Sequence, residues 1–403
     1  MNSRDSFITK IAFLSVSFVL TSAYAIQGAL PQMKAALNIS QTQAEYLATS
    51  PAFLVIFFVI ASPFIARLCH LSDKKVIQIG LIIVGLAGIA PFFISNYWLI
   101  LLSRLILGAG FGLYNSQAIA LISVWYAGND RSQMLGWRAA AEQLGQACTL
   151  VIAGGLLTFS WHAPFLVYLL AFVALAIFSF RVPDDEHLEE QAQTTNVTSQ
   201  DVEPTTHRSV TKISPMVGLL VAFAFILVVD YVGMNNRFSG LAVAINGQNY
   251  QGASLFLSLM LVGATLGGIT YGTIQKHLGF NTVYLGLGLM AIANFLFGLA
   301  GNNFVVMVVG LLLIGFPLQL VSPLIFNLLP DLAPLNKQPL VTSLVLIGFN
   351  FGAFFSPTAA EIINKLLNKP MSGLGLAAPF PIYGVILLVI AGIIFITKQK
   401  NNN

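Results

Sequence analysis

Twelve apolar stretches, each long enough to cross a lipid bilayer, follow one another along this chain of 403 residues. A hydrocarbon core about 30 Å thick needs a helix of about 20 residues to span it. Inside lipid the backbone must satisfy its own hydrogen bonds, so each stretch has to be helical. They cover 9–30, 46–68, 76–95, 98–125, 133–158, 163–181, 214–238, 250–274, 282–301, 304–329, 340–363 and 379–397. Only 8% of residues are charged and 57% are hydrophobic, whereas a soluble domain carries about 25% charged residues. Lipid is therefore the outer solvent. A cleaved secretory signal is the competing reading of the first stretch, but its length and the spans behind it mark it as a retained helix.

One segment breaks the pattern. From Val182 to Lys212 the chain carries Asp184, Asp185, Glu186, Glu189 and Glu190, then a Gln/Thr/Asn/Ser run. Such a segment cannot bury a core and reads as a solvated linker. It divides the chain into an N-terminal half, 1–181, a cytoplasmic linker, 182–212, and a C-terminal half, 213–403. Positive charge sets the expected orientation. With the N-terminus in the cytoplasm, cytoplasmic segments hold thirteen of the 19 Lys and Arg, and the opposite side holds three, Lys34, Lys365 and Lys369. Both termini are then cytoplasmic, and the membrane is the cytoplasmic (inner) membrane.

The halves repeat one another. Residues 38–43 and 246–251 match at an offset of 208, and His70/His277, Val76/Val283 and Gly145/Gly352 match at 207. Two parallel repeats joined by a long loop suit a carrier with its solute site near the midplane, between repeats.

Short motifs add a family resemblance over nearly the whole length. Arg104-Leu-Ile-Leu-Gly108-Ala-Gly110 in the fourth span and Trp161-His-Ala-Pro-Phe165 before the sixth are similar to signatures of the major facilitator superfamily. The 67–75 loop sits where that family carries a Gly-rich basic motif. Here Cys69 replaces its acid, and Lys74 and Lys75 keep its basic pair. Gly145-Gln-Ala-Cys-Thr149-Leu150 lacks the proline that the family's drug–proton antiporters carry in the fifth span. The nearest version is Gly352-Ala-Phe-Phe-Ser356-Pro357 in the eleventh. The resemblance implies an all-α membrane protein of twelve transmembrane helices in two pseudo-symmetric six-helix bundles. It also implies a central cavity lined by the first, fourth, seventh and tenth spans.

Ionisable groups inside a membrane cost from about 2.5 kcal/mol each and are functional candidates by default. Arg104, Arg138, Glu142, Asp230, Arg237 and Glu361 are such groups here. Arg104, Asp230 and Arg237 are candidates for solute binding or ion coupling. Arg138 and Glu142, four apart on one helix face, can pair and are gate candidates. Glu361 reads as a rim carboxylate. Gln27, Asn115, Asn235, Asn236 and Gln319 supply neutral polar groups on the spans expected to line the cavity. Interhelical hydrogen bonding is their ordinary alternative use.

The expectation is a secondary active transporter that moves a small organic solute, an organic anion or amphipathic compound, by alternating access. Protons are the expected driving ion and a monomer the expected state. A multidrug efflux antiporter is the nearest rival, and a transporter-like sensor or scaffold is the rival of another class. No phosphate loop of the Gly-Lys-Ser/Thr kind occurs, and the five histidines show no metal spacing. The sequence therefore calls for no cofactor, metal, enzymatic chemistry or nucleic-acid partner.

Overall fold

The computed structural model describes residues 7–126, 128–182, 213–334 and 337–402, and every regular element among them is helical. Apart from Val182, the linker expected over 182–212 lies outside the described residues. Each apolar stretch carries a helix. The first is a bent composite: α1 (Phe7–Phe18), a 3-10 turn (Ser22–Ala29) and α2 (Leu30–Leu37), with a 47° break between its two arms. There follow α3 (Gln41–Leu68), α4 (Asp73–Ile89), α5 (Tyr97–Trp125), α6 (Gly128–Leu157) and α7 (Leu169–Arg181). The second series is α8 (Met216–Asn246), α9 (Ala253–Leu278), α10 (Thr282–Gly298), α11 (Phe304–Leu328), α12 (Gln338–Leu366) and α13 (Pro379–Asn402).

By length and composition, nine of the described helices can cross a membrane, or ten if the bent first pair is one span; one of the nine, Ala253–Gly298, runs through both α9 and α10. Helix α6 stands outside that set; it carries Asp130, Arg131, Arg138 and Glu142.

The chain forms two compact units. One comprises Met1–Ile26 and Leu47–Arg208, the other Gln27–Tyr46 and Ser209–Asn403. In the first unit α4 packs on α5 and α7, and α1 on α6 and α7. In the second α10 packs on α11 and α13, and α8 on α12. The packing partners repeat along with the sequence. Asn96 caps α5 by accepting from the Leu99 amide at 3.3 Å, and Asn303 caps α11 by accepting from the Val306 amide at 3.2 Å. Both residues of each pair differ by 207. A side-chain oxygen there satisfies amides that a helix start leaves open.

Gly145 and Gly352 extend the repeat into the packing. A side-chain carbon on Gly145 would strike the Phe18 carbonyl, and one on Gly352 would strike the Phe225 carbonyl, so the offset of 207 holds on both sides of the contact. Backbone approach this close requires a residue without Cβ, the ordinary packing device of membrane helices. Gly145→Ala should therefore lower thermal stability in detergent, by about 1–3 kcal/mol if it behaves as an overpacked core site. Gly155→Ala, with nothing within 4 Å of the added carbon, should leave stability unchanged. Equal melting temperatures for the two variants would contradict the contact.

Candidate functional site

Proline decides how Arg104 is used. In α3 the Leu47 carbonyl would normally accept from the amide four residues on, but that residue is Pro51, which has no N–H. Arg104 supplies the missing donor: its Nε donates to the Leu47 carbonyl at 2.8 Å. Its Nη1 donates to the Tyr168 hydroxyl and its Nη2 to the Ala23 carbonyl. Tyr168 in turn donates to the Ser22 carbonyl at 2.9 Å. Gly108, one turn on, has the Pro51 backbone against it. The Arg-x-x-x-Gly part of the motif thus grips one proline-interrupted turn from two sides. Arg104 is fully buried, and each of its three guanidinium nitrogens donates to a protein acceptor. All three of those bonds stay within the first unit.

A second polar group in the first unit joins residues expected to gate. Arg138 pairs with Glu142 at 3.8 Å along α6, and Arg138 Nη2 also donates to Asn115 Oδ1 on α5. The hydroxyl of Thr21 donates to the Glu142 backbone carbonyl at 3.1 Å. These groups are half-buried, which suits a pair that changes partners. On the same helix as Asn115, Gln117 donates to the Ser62 hydroxyl at 3.1 Å.

The second unit holds the larger cluster. On α8, Asp230, Asn235, Asn236, Arg237 and Ser239 are all buried. Asp230 Oδ2 accepts from Asn294 Nδ2 on α10 at 2.8 Å, while its Oδ1 is buried without a hydrogen-bond partner among the described residues. Gln27 Nε2 donates to Asn236 Oδ1 at 2.8 Å. Arg237 is fully buried, and its Nε lies 3.3 Å from Glu45 Oε1. Its Nη1 donates to Asn364 Oδ1 at 2.7 Å and to the Leu376 carbonyl at 3.1 Å, and among the described residues its Nη2 donates to the Met371 sulfur at 3.6 Å. Gln41 Nε2 donates to Glu45 at 2.9 Å, and Lys34 Nζ donates to Gln41 at 3.2 Å. Gln319 is half-buried on α11. Glu361, read from sequence as a rim carboxylate, accepts from Thr42 at 2.7 Å and pairs with Lys365 at 2.6 Å.

The structure therefore joins Gln27 to Asn236 and Arg138 to Asn115 and Glu142, and it gives Asp230 and Arg237 different partners. Glu45, Asn294 and Asn364 are functional candidates that sequence reasoning passed over. Glu45 lies one residue before the expected second span, and Asn364 one beyond the eleventh. Gln41 and Glu45 are four apart on one face, which was the available signal. Asn294 is the lone carboxamide in α10. Among the described residues no His, Cys, Asp and Glu group has the arrangement of a metal site.

The sequence profile of the Major Facilitator Superfamily matches residues 12–357. The chain is 25% identical over 343 residues to the MFS-type transporter YceJ of Bacillus subtilis (strain 168), covering 82% of this chain and 83% of that one. Among solved structures it resembles the nucleoside transporter NupG, with a TM-score of 0.74, 15% identity and coverage of 98% and 99% of the two chains. It also resembles the xylose transporter XylE from E. coli, with a TM-score of 0.72, 14% identity and coverage of 96% and 95%.

Proposed function

Since the chain belongs to the Major Facilitator Superfamily, a family of multi-pass membrane transporters rather than enzymes, we propose that it carries a small organic anion by alternating access, driven by protons. Fold alone does not choose the solute. The solved neighbours include a nucleoside and a xylose transporter, so the solute class has to come from side chains. The observation that carries the anion reading is Arg237, a buried cation inside a membrane helix whose Nε/Nη2 edge meets one carboxylate oxygen and one thioether sulfur. Arg104 is not what carries this reading, because three of its N–H groups already bond acceptors within the fold.

Asp230 supports the coupling part. A driving ion moves a transport cycle only if it binds the alternating states differently. An isolated ionised carboxylate in a dry interior is heavily penalised. The charge of Asp230 therefore depends on whether water reaches its unpartnered Oδ1, and access to water is what alternation changes. The cytoplasmic membrane, with both termini inside, is the placement that the distribution of Lys and Arg supports, and the six-helix halves 1–181 and 213–403 are the bodies we take to move.

The test is a thermal-stability screen of the purified protein at two pH values, followed by counterflow of any hit in liposomes. Organic anions should raise the melting temperature and exchange across the bilayer. Stabilisation by neutral or cationic drugs alone would replace the anion reading with multidrug efflux. Ligand binding without exchange would favour a sensor.

A further inference from the structure

Arg237 presents two edges, and the protein treats them differently. The Nη1 side is anchored by hydrogen bonds to Asn364 on α12 and to the Leu376 carbonyl of the Gly373–Ala377 turn. The Nε/Nη2 side is the edge on which a guanidinium accepts a carboxylate in fork geometry, with two parallel bonds of about 2.7–2.9 Å. Here that edge is used loosely. Glu45 Oε1 lies 3.3 Å from Nε, and among the described residues Nη2 donates to the Met371 sulfur at 3.6 Å. Glu45 itself comes from Gln27–Tyr46, a stretch distant in sequence from the rest of its unit. That stretch is held by side-chain bonds, Gln27 to Asn236, Thr42 to Glu361 and Tyr46 to Thr358. A buried charge must be paired or it is severely destabilising, so a loose partner at this edge still satisfies the cation.

We propose that the Nε/Nη2 edge of Arg237 is a carboxylate-binding site with a built-in occupant: Glu45 holds the place of the solute's carboxylate and vacates it when the 27–46 stretch withdraws. The inference rests on reading Arg237 as the anion-recognising residue of the carrier. It explains why the pair is one-pointed. A tethered carboxylate that bound the cation in full fork geometry would not yield to a free one, whereas a long contact to the cation can be displaced by a ligand that makes two good ones. The occupant also keeps the arginine neutralised while no solute is present. The ligand class follows: a mono- or dicarboxylate, or another planar oxyanion able to offer two oxygens to one guanidinium edge.

The experiment is chemical rescue with the smallest such ligand. Glu45→Ala removes the occupant and should lower the melting temperature of the purified protein. Sodium acetate should then recover about half of the loss or more at concentrations well above its dissociation constant, by preferential binding to the folded state. Acetamide, or sodium chloride at equal ionic strength, should not. The rescue should vanish in E45A/R237Q. Equal effects of acetate, acetamide and chloride, or rescue that persists without Arg237, would overturn the proposal.

If E45A does not fold, Glu45→Gln keeps a neutral acceptor in place. Amide hydrogens of the 27–46 stretch should then exchange about tenfold faster than in the wild type. Unchanged exchange would overturn the proposal equally. Acetate rescue combined with no organic anion acting on the wild type would leave the carboxylate site standing and defeat the transport reading instead.

Discussion

Asp230→Asn should abolish gradient-driven transport and leave solute exchange intact. Asn keeps an oxygen that can accept from Asn294 Nδ2, as Asp230 Oδ2 does at 2.8 Å, so the packing between α8 and α10 survives. It cannot ionise, so the two alternating states no longer differ in a bound proton. A carrier that has lost its driving ion still equilibrates solute, and its accumulation ratio in proteoliposomes with an imposed pH gradient should fall to about 1. Counterflow of labelled solute should continue at a rate comparable to the wild type. Uphill transport by the Asn variant would remove Asp230 from the coupling mechanism and turn attention to Glu142, a half-buried carboxylate paired with Arg138.

Arg104→Leu should cost stability rather than specificity. The substitution leaves the Leu47 and Ala23 carbonyls and the Tyr168 hydroxyl, all bonded to Arg104, without that donor. Each buried group left unsatisfied costs about 1–3 kcal/mol, and the relief from burying a cation offsets part of the sum. A net loss of about 3 kcal/mol is a large share of the 5–15 kcal/mol that holds a typical domain, so folded yield and melting temperature should both drop. Arg104→Lys should recover less than half, because an ammonium cannot serve a fork of fixed acceptors. The diagnostic variant is Arg104→Leu combined with Pro51→Ala. Restoring an amide at 51 gives the Leu47 carbonyl its own helical partner and should return about 1 kcal/mol. A stable Arg104→Leu protein that has lost only transport would return this residue to the solute site.

The sequence laid out the helices because lipid permits almost nothing else, and each of the twelve apolar runs carries a helix. It was weaker at the ends of those runs. Glu45 and Asn364 each sit one residue outside an apolar stretch, since polar residues are what terminate such a stretch in a sequence reading. A buried ion pair at the end of a span is therefore easy to cut off. The partners of Arg104 are hidden from the sequence for a different reason. One of them is a carbonyl freed by a proline on another helix, and only the packing of α3 on α5 brings it to the arginine. Asp230 stood out at once because a lone acid in an apolar helix needs no partner to be conspicuous. The internal repeat was legible too, yet it locates none of these groups: positions 207 before Asp230 and Arg237 are Ala23 and Leu30, so the chemistry is carried asymmetrically on a symmetric frame.

The composition of the two units has a mechanical corollary. Because Gln27–Tyr46 is counted with Ser209–Asn403, the main chain passes from one unit to the other three times, at 26–27, at 46–47 and at 208–209. Two of these crossings, at 26–27 and 46–47, lie on stretches of helical backbone. The first runs through a 3-10 turn, Ser22–Ala29, whose poorer hydrogen bonds bend at little cost; the second runs through an α-helix four residues before a proline. Arg104 ties Ala23 to Leu47, one residue past the second crossing and three before the first. One guanidinium thereby sets the spacing between the backbone just before the first crossing and the backbone just after the second.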